Sequence, residues 1–469
     1  MKKNGLGVII GNRGVFPGSL AEKGRKEIVE VLKKQGIDAI ILPKDSTKYG
    51  AIENLNEAKK CAAFFRENRE RIDGILVSLP NFGDERAIAD TIKMSELDVP
   101  VLVQAFPDEL KKMGVDDRRD SFCGKFSICN NLKYYGIPFS LTRFHTVAPS
   151  SKEFIQDLSW FMGVCRVVKG LRQARIGAIG ARTAPFKTVR YSERLLEESG
   201  ISVETIDLSE IIMAVEKLKD SDKEVSSKLK AITEYCSTNK VPQLSLLKIA
   251  KLGIVIERWL KENEINACTI QCWSAMQDAL GIFPCTIMSM LNDSLVPCAC
   301  EVDVMGAIAM YALQLASGLP SGLFDWNNNY GDDPDKLVLF HCSSLPKRML
   351  KSIRMSYNAI AARGIGQENS YGTCIGRVKS GPMTFARIST EDTTGRIMAC
   401  LGEGKFTDDP LKTFGGVGVA RINRLQELLQ FLCRNGFEHH IAVSQSLVSN
   451  ILFEAMDNYL GWDVYEHNK

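Results

Sequence analysis

Histidine is the scarcest titratable side chain in this chain, with five among 469 residues, and tryptophan is equally rare. No apolar run reaches the roughly 18 to 20 residues that a membrane-spanning helix needs. An excess of one charge sign is also missing. The 59 Lys and Arg against 56 Asp and Glu leave a formal charge of +3, so composition shows no polyanion-binding footprint. The fourteen cysteines include no C-x-x-C pair. Cys298-Ala-Cys300 and Cys268-Thr-Ile-Gln-Cys272 have the wrong spacing for a zinc ribbon. No G-x-x-x-x-G-K-[ST] phosphate loop and no G-x-S-x-G elbow occur, and the turn at Gly177-Ala-Ile-Gly180 lacks G-x-G-x-x-G spacing. Nucleotide enzymes with a phosphate loop and serine hydrolases are disfavoured accordingly. The opening residues carry two lysines but only a short apolar stretch, unlike a secretory signal. Reduced thiols and a cytoplasmic location are the expectation.

What is present is an ordinary globular balance, 45% hydrophobic and 25% charged, in a length suited to two to four domains. Short apolar runs at 7–10, 38–42, 74–79 and 100–105 alternate with helical patterns at 19–35, 54–68 and 84–94. That rhythm predicts parallel strands with crossover helices, and the runs are apolar on both faces, as strands covered on both sides must be. After a helical stretch near 150–170 the alternation restarts. Strands are expected at 175–180, 202–206, 266–273 and 296–303, with a long helical region over 208–263 broken at Pro242. Beyond the Gly- and Pro-rich break at 317–322, strands at 336–342, 382–389, 395–401 and 415–422 read as antiparallel or barrel-like. Two helices, 423–436 and 445–460, flank an apolar run at 438–444. The predicted class is α/β: two doubly wound parallel-sheet domains, 1–168 and 169–318, then a smaller, mainly antiparallel, barrel-like domain, 319–469.

The rare histidines cluster in that last domain. His439 and His440 are adjacent at the start of an apolar run, and His341 ends another. Strand alternation would put His439 and His440 on opposite faces, so that only one serves a given site. Glu301 follows a buried-strand pattern, at the strand end where open α/β sheets hold their ligands. Asp303 is its rival. Asp325 stands between Phe324 and Trp326, with Asp332, Asp333 and Asp335 as rivals; each of these carboxylates could instead be a cap or a solvated loop charge. Glu301, Asp325 and a histidine would offer oxygen and nitrogen ligands without thiolate, which suits manganese, magnesium or cobalt better than structural zinc.

Taken in order, Cys300-Glu301-Val302-Asp303-Val304-Met305-Gly306-Ala307, Phe324-Asp325-Trp326, Leu339-Phe340-His341-Cys342 and Glu438-His439-His440 resemble the L-fucose/L-arabinose isomerase family. The resemblance extends to the opening Gly11-Asn12-Arg13-Gly14 and to the segment from Arg175 to Arg182. It implies a metal-dependent aldose–ketose isomerase that works through a cis-enediol(ate), commonly with Mn2+ and alternatively with Co2+ or Mg2+. It implies Glu301 and Asp325 as acid/base pair and metal ligands, and His440 as the metal-binding histidine. Arg13, Asn12, His341, Trp326 and His439 would face the substrate, although His341 matches a histidine that the arabinose branch uses at the metal, so that metal and substrate both stay open for it. Asp rather than Glu at 325 departs from the arabinose branch and leaves the sugar open. A fucose- or arabinose-like sugar is one class. An aldose with an anionic C6, such as sulfoquinovose, is the other, because an arginine at position 13 suits a sulfonate or carboxylate. The resemblance also implies a closed homo-oligomer, a hexamer, with active sites between subunits, and no nucleic-acid or membrane partner. The competing reading is a non-catalytic sugar-binding protein with two α/β lobes.

Overall fold

The computed structural model describes residues 5–468. The chain forms two compact units, one of residues up to 169 together with 458–460, the other of 170–457 and 461 onward.

The first unit is built on five parallel strands, β1 (Gly5–Ile10), β2 (Asp38–Ile41), β3 (Gly74–Leu79), β4 (Val101–Ala105) and β5 (Ser140–Leu141), in the order β2-β1-β3-β4-β5. Successive residues of β1, β3 and β4 feed two separate cores. Ile9, Val77 and Val103 pack on one face, while Val8, Leu76 and Leu102 pack on the other. This explains why the strands read as unbroken apolar runs. The helices Leu55–Glu67 and Glu85–Ser95 start on side-chain caps: Asn54 Oδ1 accepts from Glu57 N at 3.1 Å, and Asp84 Oδ1 from Ala87 N at 2.9 Å. Helix Ser121–Tyr134, absent from the expectation above, has no single apolar face to betray it.

The second unit opens with a four-stranded parallel sheet, β6 (Arg175–Ile179), β7 (Ser202–Ile206), β8 (Ala267–Ile270) and β9 (Cys298–Cys300), ordered β7-β6-β8-β9. The long helical region between β7 and β8 is three helices, Leu208–Lys217, Lys223–Tyr235 and Gln243–Glu262. Helix Val304–Ser317 then leads into a nine-stranded, mostly antiparallel sheet. Its strands are β10 (Ser321–Asn329), β11 (Lys336–His341), β12 (Arg354–Tyr357), β13 (Tyr371–Arg377), β14 (Gly381–Glu391), β15 (Arg396–Thr407), β16 (Gly416–Arg421), β17 (His440–Ser444) and β18 (Asp463–Glu466). Because β15 also pairs with β16, the run β16-β11-β10-β17-β14-β15 closes on itself as a barrel. Phe324, Leu339, Phe385, Cys400, Ala420 and Ile441, one from each of its strands in turn, share one apolar core cluster. The predicted class, α/β followed by a barrel-like β region, is the observed one. No described helix is long and apolar enough to cross a membrane.

Candidate metal centre and active site

Strand pairing brings the acidic and imidazole groups together. In the antiparallel β10/β17 pair Asp325 lies directly opposite His440, so their side chains leave the same face. Glu301 arrives from elsewhere, one residue beyond β9. Glu301 and Val302 both take left-handed backbone, with φ of 66° and 56°. For a β-branched valine this conformation costs on the order of 1–3 kcal/mol. The double turn drops Asp303 onto the start of helix Val304–Ser317, where its Oδ1 accepts from Gly306 N at 2.9 Å.

The result is a tight, buried cluster. His440 Nε2 lies 3.1 Å from Glu301 Oε2 and 3.5 Å from Asp325 Oδ1. Both His440 Nε2 and Glu301 Oε2 are shut off from solvent, yet neither makes a hydrogen bond. Glu301 spends its other oxygen on Trp273, whose Nε1 donates to Oε1 at 2.9 Å. Glu301, His341 and His440 each offer a ligand atom within 4.8 Å of the others, and so do Asp325, His439 and His440. Carboxylate oxygens and imidazole nitrogens converging on one point fit a divalent cation.

A second layer holds His440 in place. Its Nδ1 lies 2.8 Å from Asp303 Oδ2. Asp303 in turn receives both terminal nitrogens of Arg387, at 2.6 and 3.1 Å. Arg387 Nε donates to Glu438 at 2.8 Å, and Ser389 donates to the same carboxylate. Arg387 and Asp303 are 0% exposed. Burial opposes the Asp303 charge, but Arg387 and His440 prevail and hold the carboxyl below its usual range. Burial also opposes a charge on His440, yet Asp303 and Glu301 outweigh it and push the imidazole up to about 9. At Asp325 burial dominates, partly offset by His341, His440 and His439, and its carboxyl is raised.

Beside the cluster lies a cavity of about 490 Å³. Glu301, Asp325 and His341 line it on the polar side, and Phe186, Phe283 and Phe340 on the apolar side. Cys342 also opens onto it, its sulfur 3.5 Å from His341 Nδ1.

Residues 7–172 match the family model described as fucose/sulfoquinovose isomerase, N-terminal domain, and residues 339–468 match L-fucose isomerase, C-terminal domain. The chain is 24% identical over 387 residues to the sulfoquinovose isomerase of Priestia aryabhattai, covering 82% of this chain and 83% of that protein. Against the sulfoquinovose isomerase of Clostridium sp. (strain MSTE9) it is 26% identical over 358 residues, 74% and 77% of the two chains. The chain belongs to the fucose isomerase-like family. It is therefore an aldose–ketose isomerase, and a purely sugar-binding role is set aside. In this family member His341 and His440 fall inside the C-terminal match, Arg13 inside the N-terminal one, and Glu301 and Asp325 between them.

The structure thus gathers Glu301, Asp325, His341, His439 and His440, and it departs from the expectation at the histidine pair, Trp326, Asn12 and Arg13. Both histidines of the pair border Asp325: their rings are 4.4 Å apart, and His439 Nε2 is 3.8 Å from Asp325. His439 precedes the first residue of β17, so strict alternation does not govern it. Trp326 sits one residue from Asp325 on β10 and turns the other way, packing edge-on to Phe385 against the apolar core rather than lining the cavity. Asn12 belongs to the first unit and is spent there, donating to Glu53 and accepting from Asn81 at 2.6 Å. Arg13, also in that unit, pairs with Glu85, donates to Gly83 O at 3.1 Å and lies over the Phe82 ring. Sequence reasoning missed Trp273, Phe186 and Arg387. The last had one signal: it shares a strand face with Phe385, two residues away, which is fully buried.

Proposed function

We propose that this isomerase is metal-dependent and moves a proton between C1 and C2 of its sugar through a cis-enediol(ate). The observation that carries the reading is the pair of buried, unbonded atoms, His440 Nε2 and Glu301 Oε2, 3.1 Å apart beside Asp325. Glu301, Asp325 and His440 would hold the cation, with Mn2+ as the favoured ion and Co2+ or Mg2+ as alternatives. Such an ion supplies Lewis-acid stabilisation to charge developing on neighbouring oxygens. The chain's own groups do the rest. Asp303 receives the Nδ1 proton of His440, so Nε2 is the nitrogen aimed at the cluster and would offer its lone pair there once a cation has displaced its proton. Trp273 fixes the Glu301 carboxylate. Asp325, whose raised carboxyl binds a proton more readily than usual, and Glu301 serve as the acid/base pair. His341 and His439 flank the sugar, and the three phenylalanines exclude water from its apolar edge.

The substrate proposed is a fucose-like aldose or its C6-anionic counterpart. The relatives named sulfoquinovose isomerase favour the second, with Arg13 of a neighbouring subunit as the group that would meet the sulfonate. A closed homo-oligomer and a cytoplasmic location complete the reading, and all fourteen cysteines are free thiols. The test is to incubate the protein with Mn2+ and a panel of neutral and C6-sulfonated aldoses and to detect ketose by NMR. Ketose formation that EDTA abolishes and Mn2+ restores supports the reading. Full turnover in exhaustively metal-stripped protein overturns it.

A further inference from the structure

Two carboxamides on the cavity wall are each half spent. Gln277, on the helix Ala275–Leu280, is 5% exposed and lines the cavity. Its Nε2 donates to Cys272 O at 2.8 Å and to Ile282 O at 2.9 Å. Only an NH2 group can satisfy two carbonyls, so the amide cannot be turned over. Oε1 is left closed to solvent and without a partner. Burying an acceptor that has no donor is costly, and native chains rarely do it without a reason.

Asn358 divides its amide the other way. It follows β12, is 6% exposed and lines the same cavity. Its Oδ1 accepts from Ile360 N and from Ala361 N, both at 3.1 Å, a task that only the carbonyl oxygen can perform. Nδ2 donates to none of the described residues. Backbone hydrogen bonds put both amides on one stretch of wall. Ile282 holds Gln277, its neighbour Phe283 donates to Tyr371 O at 2.7 Å, and Asn358 N donates to Ser370 O at 2.8 Å. Phe283 itself lines the cavity. A fixed acceptor and a fixed donor are what a sugar hydroxyl needs, because that group donates one proton and accepts on its oxygen.

We propose that Gln277 and Asn358 are specificity-determining residues that bind a hydroxyl of the aldose beyond C2. Gln277 Oε1 accepts the hydroxyl proton, and Asn358 Nδ2 donates to the hydroxyl oxygen. The assignment rests on the cavity being the sugar's site, as proposed above. Neither amide belongs to the cluster of carboxylates and imidazoles, so the pair selects the sugar and takes no part in the proton transfer. A site built to hydrogen-bond a hydroxyl rejects the analogue lacking it far more strongly than an apolar pocket rejects a missing methylene, since its polar groups are then left unpaired.

The experiment compares the aldose that turns over best with analogues lacking the hydroxyl at C3, C4 or C5 in turn. One position should stand out, with kcat/KM lower by at least about 10²-fold. Gln277→Met is close in volume and removes the acceptor. Asn358→Ser keeps an oxygen for the two backbone N–H groups and removes the donor. In each variant the penalty for that one analogue should shrink to under about tenfold, while bound metal per chain stays at the wild-type level in elemental analysis. Gln277→Met also loses two backbone contacts, so Asn358→Ser decides where the two differ. The corresponding alditols have no carbonyl to isomerise and give the same comparison by calorimetry. The deoxy alditol should bind the wild type at least about tenfold more weakly than its parent, and Asn358→Ser nearly as well as its parent. An equal penalty at every carbon, or an undiminished one in Asn358→Ser, overturns the proposal. Failure of every alditol to bind overturns it together with the sugar-binding reading of the cavity. Turnover that survives metal stripping overturns the metal mechanism alone and leaves the alditol comparison to be read.

Discussion

His440 and Asp303 are joined through Nδ1 at 2.8 Å, and this one contact decides which ring nitrogen faces the carboxylate cluster. Asp303 can hold that position only because Arg387 neutralises it with two hydrogen bonds in a site with no solvent. A buried charge network of this kind is weak evidence of net stability, but removing one member leaves the others uncompensated. Arg387→Met strands Asp303 and Glu438 together. Unfolding in urea should show a loss of about 3–5 kcal/mol. Asp303→Asn should weaken Mn2+ binding by about 10- to 100-fold in calorimetry, the usual effect of losing a histidine's outer partner. If Mn2+ affinity is unchanged in Asp303→Asn, the orienting role assigned to this contact is wrong.

Glu301→Gln and Asp325→Asn preserve size while removing a base and a negative charge. Each should lower kcat by at least about 10²-fold in steady-state kinetics with the best sugar of the panel. Near-normal kcat in either variant would falsify that residue's place in the acid/base pair.

These two carboxylates were legible in the sequence for different reasons. Glu301 ends an apolar run, and that pattern alone puts it at the mouth of a parallel sheet. Asp325 stood out by its aromatic neighbours, but β10 itself was not foreseen. It begins at Ser321-Gly322 after a proline and ends in three asparagines, so its outer half carries no apolar signal. β12 and β13 were hidden likewise by short length and glycine. The first unit was easier, since β1, β3 and β4 bury both faces and announce themselves as continuous apolar runs. Arg387 shows the limit of reading one strand at a time. An arginine between alanine and isoleucine reads as solvent-facing until Asp303 and Glu438, distant in sequence, are brought to it.

Stability of the metal-free protein should depend on pH through His440. Its folded value of about 9 lies above the ordinary 6.5. The contribution is therefore fully present below about pH 6.5 and is lost as pH rises through 9. Its full extent is on the order of 3 kcal/mol. His341, also raised, acts in the same direction. Thermal melts of EDTA-treated protein should show Tm falling from pH 7 to pH 9, with a shallower fall in His440→Gln. A flat profile, or an equal slope in the variant, would show that the imidazolium is not what the cluster stabilises.

The adjacent histidines should separate by function rather than by face. His440 is 1% exposed, bonded to Asp303 and nearest Glu301, whereas His439 has a more open side chain and, among the described carboxylates, pairs with Asp325 alone, at 3.8 Å. His440→Ala should cost most of the bound Mn2+, measured by elemental analysis after gel filtration. His439→Ala should keep the metal and raise KM for the sugar. Metal lost from His439→Ala but retained in His440→Ala would exchange the two roles.

Arg13 tests the anionic end of the substrate. Its guanidinium is paired with Glu85, so a sulfonate bound as proposed would have to compete with that carboxylate for the same fork. Arg13→Ala should raise KM for a C6-sulfonated aldose by about 1.5–3 kcal/mol more than for its neutral analogue, the usual range for a hydrogen bond to a charged group. Arg13→Lys keeps the charge but loses the two-pronged geometry, and should fall between the two. Glu85→Gln has the opposite effect: it frees the guanidinium, and KM for the sulfonated sugar should drop while KM for the neutral sugar stays the same. Equal changes for both sugars across these variants would make the Arg13–Glu85 pair purely structural and return the C6 group of the substrate to a neutral one.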